Sequence, residues 1–291
     1  MQNNERKFFD LEIAKKMYLE ENRSLYEIAK VFGFRTPKSI GDKLKSAGVC
    51  IRTSQNAHTI KKSYSDSIFE RIDTEWKGYF LGLLLTDGWI TSRSDNLVDI
   101  VGLSSVDRDV IEYISLCTGK SIQTIDHSVG TKIGPLGTEI NRKTEYRIVL
   151  NSTKIVFDLA RLGVVERKTH ILKGPDLTFE EMKFLPQILR GIIDGDGTFG
   201  FPSNNENSVY FRIVSASEDF IDWCIHSLNI LGMRNINKRM CTDSMWELNT
   251  AQHSNISILV NSIYQGQFGM NRKREKLLTV FNKRFNCDPQ Q

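Results

Sequence analysis

The chain has 291 residues, of which 40% are hydrophobic and 25% are charged, and its formal net charge is +4. This composition is typical of a folded globular protein and excludes a disordered or fibrous chain. The longest apolar run, residues 79 to 85, is too short for a membrane helix, which needs about 20 residues, and the polar N-terminus lacks a signal-peptide core. We therefore expect no membrane partner and a cytoplasmic or organellar location.

Five cysteines are scattered along the chain without any C-x-x-C pair. An odd, scattered set argues against both a disulfide framework and a structural zinc site. We expect buried thiols at Cys50, Cys117, Cys224, Cys241 and Cys287.

The positive charge is concentrated at the N-terminus. Residues 1 to 62 contain 13 Lys and Arg against 7 Asp and Glu, whereas the remaining residues contain 26 against 28. A basic excess of this kind suits a polyanionic partner such as nucleic acid. The alternative is an ordinary solvated helical surface.

Residues 1 to 62 are predicted to form three helices. The second begins after a capping box from Ser24 to Glu27, and the third begins at Pro37 and ends before Gly48. The first is marked by apolar residues at helical spacing, namely Phe9, Ile13, Met17 and Tyr18.

The pattern of residues 24 to 49 resembles a helix-turn-helix DNA-binding unit, although short look-alikes of this motif are frequent. In such a unit the third helix would be the recognition helix. Its polar candidates for DNA contact are Thr36, Lys38, Ser39, Lys43 and Lys45. Arg52 opens a basic linker that extends to Lys62.

One nine-residue pattern occurs twice. Residues 80 to 88 read Phe-Leu-Gly-Leu-Leu-Leu-Thr-Asp-Gly, and residues 189 to 197 read Leu-Arg-Gly-Ile-Ile-Asp-Gly-Asp-Gly. Gly82 and Gly191 fall in the middle of these apolar segments, where glycine costs about 1 kcal/mol of helix stability. Their presence predicts two helices that pack closely on each other.

Each repeat ends in an Asp-Gly pair. We expect Gly88 and Gly197 to cap the two helices and to leave Asp87 and Asp196 at neighbouring helix ends, where the helix dipole is already negative. Carboxylates placed there repel each other and favour a divalent cation with oxygen ligands. The alternative is that both Asp-Gly pairs are simple turns.

The repeated pattern resembles the LAGLIDADG motif of homing endonucleases. The second copy departs from it at Arg190, Ile192 and Gly195, and the first copy has Leu85 at the first acidic position. In this family the second Asp of the motif binds metal. The resemblance therefore implies that Asp87 and Asp196 bind Mg²⁺ or Mn²⁺, with Ca²⁺ binding without supporting cleavage.

The segments that follow each motif have the same predicted order, so each half reads αββαββα. Predicted strands cover residues 97 to 103, 121 to 126, 145 to 151, 208 to 215, 235 to 240 and 245 to 249, with one more after each motif. Predicted helices cover residues 106 to 117, 152 to 162, 218 to 231 and 255 to 264. The resemblance implies an α+β fold of two pseudo-symmetric halves, residues 63 to 175 and 176 to 291, packed through their motif helices.

A second internal match lies after each half's last predicted helix. Residues 162 to 168 align with residues 268 to 273, and both segments contain a glycine and an Arg-Lys pair. The resemblance implies that Lys168 and Lys273 lie beside the metal site and are catalytic. Alternatively, these pairs, which include Arg167 and Arg272, bind backbone phosphates.

The resemblance implies a monomer that cuts both strands of double-stranded DNA at a long asymmetric site, with its sheets in the major groove. Our candidates for base contact are Lys120, Gln123, Arg142, Lys143, Arg212, Lys238 and Arg239. Alternatively, each of these residues is an ordinary solvated strand residue that does not contact DNA. The loop of residues 130 to 142 is long for a hairpin and is expected to extend along the DNA.

Three functions fit the sequence. The first is a site-specific homing endonuclease, which retains both Asp-Gly ends and both lysines. The second is a non-cleaving DNA-binding transcriptional regulator of the same fold, and the third is an intron RNA maturase, for which RNA would be the partner. The terminal residues lack those of a self-splicing intein, so we expect a free-standing or intron-encoded protein.

Overall fold

A computed structural model of the chain describes residues 9–21, 23–51, 64–92, 98–126, 132–133, 139–140, 143–202, 208–266 and 268–285. Contacts divide it into two compact units, Met1–Ser63 and Tyr64–Gln291. Within the described residues, no helix is both long and apolar enough to cross a bilayer. Two predicted DNA-binding residues, Arg52 and Arg142, lie outside the described residues, as do Cys287 and the whole basic linker.

Among its described residues, the first unit contains three helices, α1 (Leu11–Leu19), α2 (Leu25–Val31) and α3 (Pro37–Ser46). The predicted capping box is confirmed, because Ser24 and Glu27 exchange side-chain and backbone hydrogen bonds at the start of α2. The buried core of this unit comprises Ala14, Tyr18, Ile28, Ala29, Ile40, Leu44 and Val49.

One residue of the predicted apolar face of α1 was placed on the wrong side. Ile13 is 49% exposed, whereas Ala14 and Tyr18 are buried. Residues four apart lie on one face of a helix, so the pair Ala14 and Tyr18 faces the core and turns Ile13 towards solvent.

The second unit mixes helices and strands. Its helices are α4 (Glu75–Thr86), α5 (Arg108–Thr118), α6 (Thr153–Arg161), α7 (Leu185–Asp196), α8 (Glu218–Ile230), α9 (His253–Ile258) and α10 (Asn271–Phe285). Its strands are β1 (Gly88–Thr91), β2 (Ile100–Ser105), β3 (Gln123–Ile125), β4 (Lys132–Ile133), β5 (Glu139–Ile140), β6 (Glu145–Asn151), β7 (Gly197–Gly200), β8 (Tyr210–Ser215), β9 (Asn237–Thr242) and β10 (Met245–Thr250). Short 3₁₀ turns occur at Lys168–His170 and Glu181–Phe184, and a π-helical turn at Leu259–Ile263 follows α9.

The strands form two four-stranded antiparallel sheets with the same order of connections. The first has the order β1-β2-β6-β3 and the second has the order β7-β8-β10-β9, while β4 pairs with β5. Helix α5 packs on the first sheet and α8 packs on the second. The predicted combination of helices and antiparallel sheets is therefore confirmed.

Helix α10 was missed by the sequence prediction, which ended the last helix near residue 264. Its buried residues Leu277 and Val280 are three apart, which is the spacing of one helix face. This apolar signal is short, and seven Lys, Arg and Glu residues lie within the same helix.

Helices α4 and α7 are the centre of the second unit. Residues Gly78 to Leu85 of α4 are all buried, as expected for a helix surrounded by protein on every side. The two helices face each other at successive positions four residues apart, pairing Gly78 with Gln187, Gly82 with Gly191, and Thr86 with Gly195. This stepwise pairing means that the two helices run in the same direction.

The closest approach is backbone against backbone at the middle pair. A Cβ atom added to Gly82 would lie 2.1 Å from the Ile188 carbonyl oxygen and 2.8 Å from Gly191 Cα. A Cβ atom added to Gly191 would lie 2.2 Å from the Tyr79 carbonyl oxygen. Because these neighbours are main-chain atoms, neither position has room for a side chain.

The expectation that Gly88 and Gly197 cap the two helices is right for Gly197, which is the C-cap of α7, and wrong for Gly88, since the C-cap of α4 is Asp87. Gly197 has φ −73° and ψ 148°, and both glycines begin a strand. A Cβ atom at Gly88 would lie 2.5 Å from Leu84 Cα, and one at Gly197 would lie 2.7 Å from the Ile193 carbonyl oxygen. Glycine is needed because each strand folds back tightly against the last turn of its own helix.

The expectation of buried thiols is right only for Cys224. Cys50 and Cys241 are exposed and Cys117 is intermediate. All four of these described cysteines are unpaired thiols, in agreement with the absence of a disulfide pattern in the sequence.

We predict that Gly82→Ala lowers the free energy of unfolding by about 3 kcal/mol, at the upper end of overpacking costs, although alanine is the better helix former by about 1 kcal/mol. The matched control is Gly78→Ala in the same helix, where the added Cβ would lie 3.3 Å from its nearest atoms. Urea unfolding of both variants measures the difference. Equal stability of the two variants would contradict the close crossing.

Candidate functional site

The ends of the two central helices place Asp87 and Asp196 at one location. Asp87 is the C-terminal capping residue of α4, and Asp196 is the last residue of α7. A Cβ atom added to Gly195 would lie 2.1 Å from Thr86 Oγ1 and 3.1 Å from Asp87 Oδ2, so the end of α7 lies directly against the end of α4. Among the described residues, neither carboxylate accepts a hydrogen bond.

Both carboxylates have raised pKa values although both retain access to solvent. Burial among the surrounding protein atoms, followed by the charge of Asp87, raises the pKa of Asp196 to about 6. Burial also raises the pKa of Asp87. The positive charges of Lys168 and Lys273 oppose these shifts, which shows that all four groups belong to one electrostatic cluster.

Each lysine binds the end of one central helix. The Lys168 ammonium donates a hydrogen bond to the Gly88 carbonyl oxygen, directly after Asp87. Lys273 Nζ donates to the carbonyl oxygens of Ile193 at 2.7 Å and Gly195 at 2.9 Å. A cation at a helix C-terminus satisfies carbonyls that have no partner within the helix.

The two lysines also have perturbed pKa values. Burial lowers the pKa of Lys273 to about 8, and it lowers the pKa of Lys168 as well, in both cases against the attraction of Asp87 and Asp196. Lys273 is only 8% exposed. A lysine with a pKa near neutrality can exchange a proton at physiological pH, which an ordinary surface lysine does not.

The donor set fits a divalent cation that is completed by a substrate. Within the part of the chain that the structure describes, no group of three or more His, Cys, Asp or Glu side chains could hold a metal by itself. Mg²⁺ is commonly bound through one or two carboxylates, with waters and substrate phosphates as its other ligands. Asp87 and Asp196 supply that minimum, and a cation beside them would offset the cost of burying their charges, which raises both pKa values.

The other acid of the second motif, Asp194, is held by hydrogen bonds inside the protein. It is fully buried and accepts hydrogen bonds from the hydroxyls of Tyr264 at 2.6 Å and Tyr79 at 2.8 Å and from the Met270 amide at 3.0 Å. Burial raises its pKa, and these donors together with Arg190 oppose the rise. Asp194 therefore ties α7 to α4 and to the segment that precedes Lys273.

Arg190 is buried with Asp194, and the sequence prediction overlooked both. Its guanidinium donates to the carbonyl oxygens of Gln265, at 2.7 Å, and Phe268, and it lies 4.2 Å from the centre of the Phe268 ring. Gly269, at φ +89°, leaves the space that these two charged groups occupy. An Arg and an Asp four residues apart lie on one helix face, and this spacing is the sequence feature that could have indicated that the two groups lie together.

The predicted phosphate-binding arginines are in different situations. Arg167 is exposed and has a left-handed backbone, at φ 54°. Arg272 forms a two-bond ion pair with Asp107, at 2.8 and 2.9 Å, which holds the pKa of that carboxyl below its usual value. This pair lines a cleft of 310 Å³ beside Asp87.

The first sheet presents polar residues on the face opposite α5. Gln123 lies there, paired across the strands with Arg147. Arg147 donates to Ser104 Oγ at 2.9 Å and stacks 5.7 Å from the Trp89 ring, which lies over Gly102. Sequence analysis missed Arg147 and Trp89, although the alternation of β6 around buried Ile148 places Arg147 on this face.

The second sheet separates three predicted residues. Arg212 and Arg239 lie on the face opposite α8, whereas Lys238 lies on the face that α8 covers, where its ammonium binds Glu218 at 2.8 Å and Asp222 at 2.7 Å. Adjacent strand residues point to opposite faces, so Lys238 and Arg239 cannot both face a common ligand. The grouping of Lys238 with Arg239 was therefore wrong.

The other predicted contacts are surface residues. Lys120 lies 5.9 Å from the Tyr64 ring, and Lys143 is exposed just before β6. In the first unit, Lys43 lies over the Phe9 ring at 5.0 Å. The side-chain hydroxyls of Thr36 and Ser39 are hydrogen-bonded to each other at the start of α3. Lys38, near the start of this helix, and Lys45, in its last turn, are exposed.

Comparison with known proteins identifies the fold. The homing endonuclease I-WcaI bound to its DNA recognition sequence is similar to this chain with a TM-score of 0.51 and 13% identity, covering 80% of this chain and 97% of that one. The chain has the LAGLIDADG fold.

Two other solved structures are more distant. The LAGLIDADG meganuclease I-AabMI bound to uncleaved DNA has a TM-score of 0.46 and 10% identity, covering 72% of this chain and 91% of its own. I-SmaMI bound to an uncleaved DNA target in the presence of calcium ions has a TM-score of 0.44 and 13% identity, with coverages of 72% and 91%. No family model and no curated protein sequence matches the chain.

The raised pKa of Asp196 predicts a stability cost for its charge. Because the folded state holds this proton up to about pH 6, whereas the usual value is 3.8, the free energy of unfolding falls as pH rises through that window. Two pKa units correspond to roughly 3 kcal/mol, which solvent screening at this accessible group reduces to about 1 kcal/mol.

We predict that Asp196→Asn raises the melting temperature of the metal-free protein by about 3 °C at pH 7.5 and by much less at pH 4. Thermal unfolding in the presence of EDTA measures this. Asp158→Asn is the control, since Asp158 binds Lys154 at 2.9 Å and should gain nothing. An Asp196→Asn protein less stable than the wild type at pH 7.5 would refute this stability cost of the Asp196 charge.

Proposed function

We propose that this protein is a site-specific DNA endonuclease that hydrolyses phosphodiester bonds on both strands of double-stranded DNA with divalent metal ions. The observation that carries the proposal is the cluster of Asp87, Asp196, Lys168 and Lys273 at the ends of two crossing helices. The fold shared with a DNA-bound homing endonuclease supports it.

The residues of this cluster have complementary roles in the proposal. Asp87 and Asp196 would hold Mg²⁺ or Mn²⁺, and the bound ions supply a water of lowered pKa and stabilise the leaving oxygen. Lys273, with a pKa of about 8, accepts or returns a proton near neutral pH, and Lys168 offsets negative charge that develops at the phosphate. Each acid has a lysine bound to its own helix end, so the cluster holds one acid and one lysine for each DNA strand.

The rest of the chain serves binding in this proposal. The two halves act as a pseudo-symmetric pair within one monomer, and the sheet faces opposite α5 and α8 enter the major groove on either side of the cut. Helices α2 and α3 act as a helix-turn-helix unit that contacts DNA beyond the sheets. The exposed lysines Lys38 and Lys45 of α3 support this role.

Selection of cleaved sites from a randomised DNA pool in Mg²⁺ tests the activity and identifies the target. We expect Asp87→Asn and Asp196→Asn each to abolish double-strand cleavage of that target while affinity for it changes by less than about fivefold. Asp158→Asn, remote from the cluster, is the control and should cleave as the wild type does. Wild-type rates in either cluster variant would show that the site is elsewhere.

The alternatives give different outcomes in the same experiment. Selective DNA binding without cleavage in Mg²⁺ or Mn²⁺ would indicate a transcriptional regulator. Binding to an intron RNA without DNA cleavage would indicate a maturase.

Deletion of residues 1 to 62 should weaken DNA binding and reduce its salt dependence, because each lost phosphate contact removes about 0.9 from the slope of log K against log salt. The cut position should not change at low salt and saturating enzyme, since the cluster lies wholly within Tyr64–Gln291. Footprinting, salt titration and mapping of the cut measure the three properties. An unchanged footprint would rule out a DNA-binding role for this unit.

A further inference from the structure

A buried carboxylate lies in the sheet face that the proposed function directs towards DNA. Glu247, on β10, is 4% exposed and lies on the face opposite α8. Its neighbours there are Arg239 on β9, whose Nε and Nη2 are both 2.9 Å from Glu247 Oε1, and Asn249, whose Nδ2 donates to the same oxygen at 2.8 Å. Arg212 Nη1 lies 3.8 Å from Glu247 Oε2.

The acid is unexpected at this position, because a negative charge on a DNA-binding face repels phosphate. It is also not matched in the first sheet. The aligned registers Gly88-Leu103-Ile148 and Gly197-Ile213-Leu248 place Arg147 of the first sheet where Glu247 stands in the second. The first sheet therefore presents an arginine at its centre, whereas the second presents an acid with arginines around it.

The contacts of Glu247 leave a defined part of Arg239 available. The Nε and Nη2 edge of the guanidinium faces the carboxylate, so the edge formed by Nη1 and Nη2 is directed elsewhere. Among the described residues, Arg239 has no other hydrogen-bond partner, and its side chain is 63% exposed. Guanine is read in the major groove by two N–H donors of one arginine to O6 and N7, which is the geometry of this remaining edge.

The orientation of Asn249 is fixed in the same way. A carboxylate only accepts hydrogen bonds, so the amide nitrogen of Asn249 must face Glu247 and its Oδ1 must face away. An asparagine with a defined amide orientation can pair with the acceptor and donor of adenine.

We infer that Glu247 is a positioning residue for DNA sequence recognition: it orients Arg239 and Asn249 so that the second sheet discriminates a guanine and a neighbouring base. The inference rests on the proposed DNA-binding function but not on cleavage. It is therefore tested by binding alone.

The test compares base preference in DNA bound from a randomised duplex pool, in Ca²⁺ without Mg²⁺, by wild-type protein, Arg239→Ala, Glu247→Gln and the double variant. We expect the preference for G at one position to fall by about tenfold or more in Arg239→Ala. Glu247→Gln should lose most of the same preference. The double variant should lose no more than Arg239→Ala alone. Glu247→Gln should also bind random DNA more tightly, since a negative charge is removed from the face.

Base preference is a ratio measured on one protein sample, so partial unfolding of a variant does not alter it. The matched control is Glu218→Gln, which removes an acid that binds Lys238 on the helix-covered face of the same sheet and should leave every preference unchanged. Retention of the G preference by Glu247→Gln, or additive losses in the double variant, would overturn the inference. Absence of any sequence preference in the wild type would overturn the proposed function itself.

Discussion

The contact between the main chains of α4 and α7 at Gly82 and Gly191 is the constraint on which the rest of the second unit depends. Two helices in van der Waals contact through their backbones cannot slide or rotate without collision, because no flexible side chain lies between them. Each acid follows its glycine by five residues, about 7.5 Å of helix rise. Parallel helices crossing at those glycines therefore bring Asp87 and Asp196 to the same end.

Placing two acids at converging helix ends costs stability, and the surrounding groups limit that cost. Burial and mutual repulsion disfavour the charged carboxylates, while Lys168 and Lys273 bind the helix-end carbonyls and attract the acids. Asp194, two residues before Asp196, has three hydrogen-bond donors and a buried arginine nearby, which oppose the rise in its pKa that burial causes. The two acids of the second motif thus differ in their surroundings, because Asp194 is hydrogen-bonded within the protein and Asp196 accepts no hydrogen bond from the described residues.

Local patterns in the sequence predicted most helices and strands, but contacts between distant segments were predictable only where the sequence repeats itself. The repeat led to the crossing glycines, and the match of residues 162 to 168 with 268 to 273 led to the lysines. The faces of Lys238 and Arg239 depend on strand register, which charge alone does not reveal. Helix α10 was missed because its apolar stripe is short. Gly88 was misinterpreted because a glycine after a helix is expected both at a helix cap and where a strand folds back tightly against the helix.

Arg272 shows why a basic residue beside a reactive group need not bind the substrate. It is paired with Asp107, and the backbone amide of its neighbour Asn271 donates to Asp109 at 2.8 Å, so the start of α5 holds the segment that carries Lys273. These bonds join positions more than 160 residues apart. Asp107 and Arg272 neutralise each other within the cleft that Asp87 and Glu145 also line. This ion pair therefore links α5 to the segment that carries Lys273, whereas under the proposed function Asp87 and Asp196, which accept no hydrogen bond from the described residues, would hold the cation.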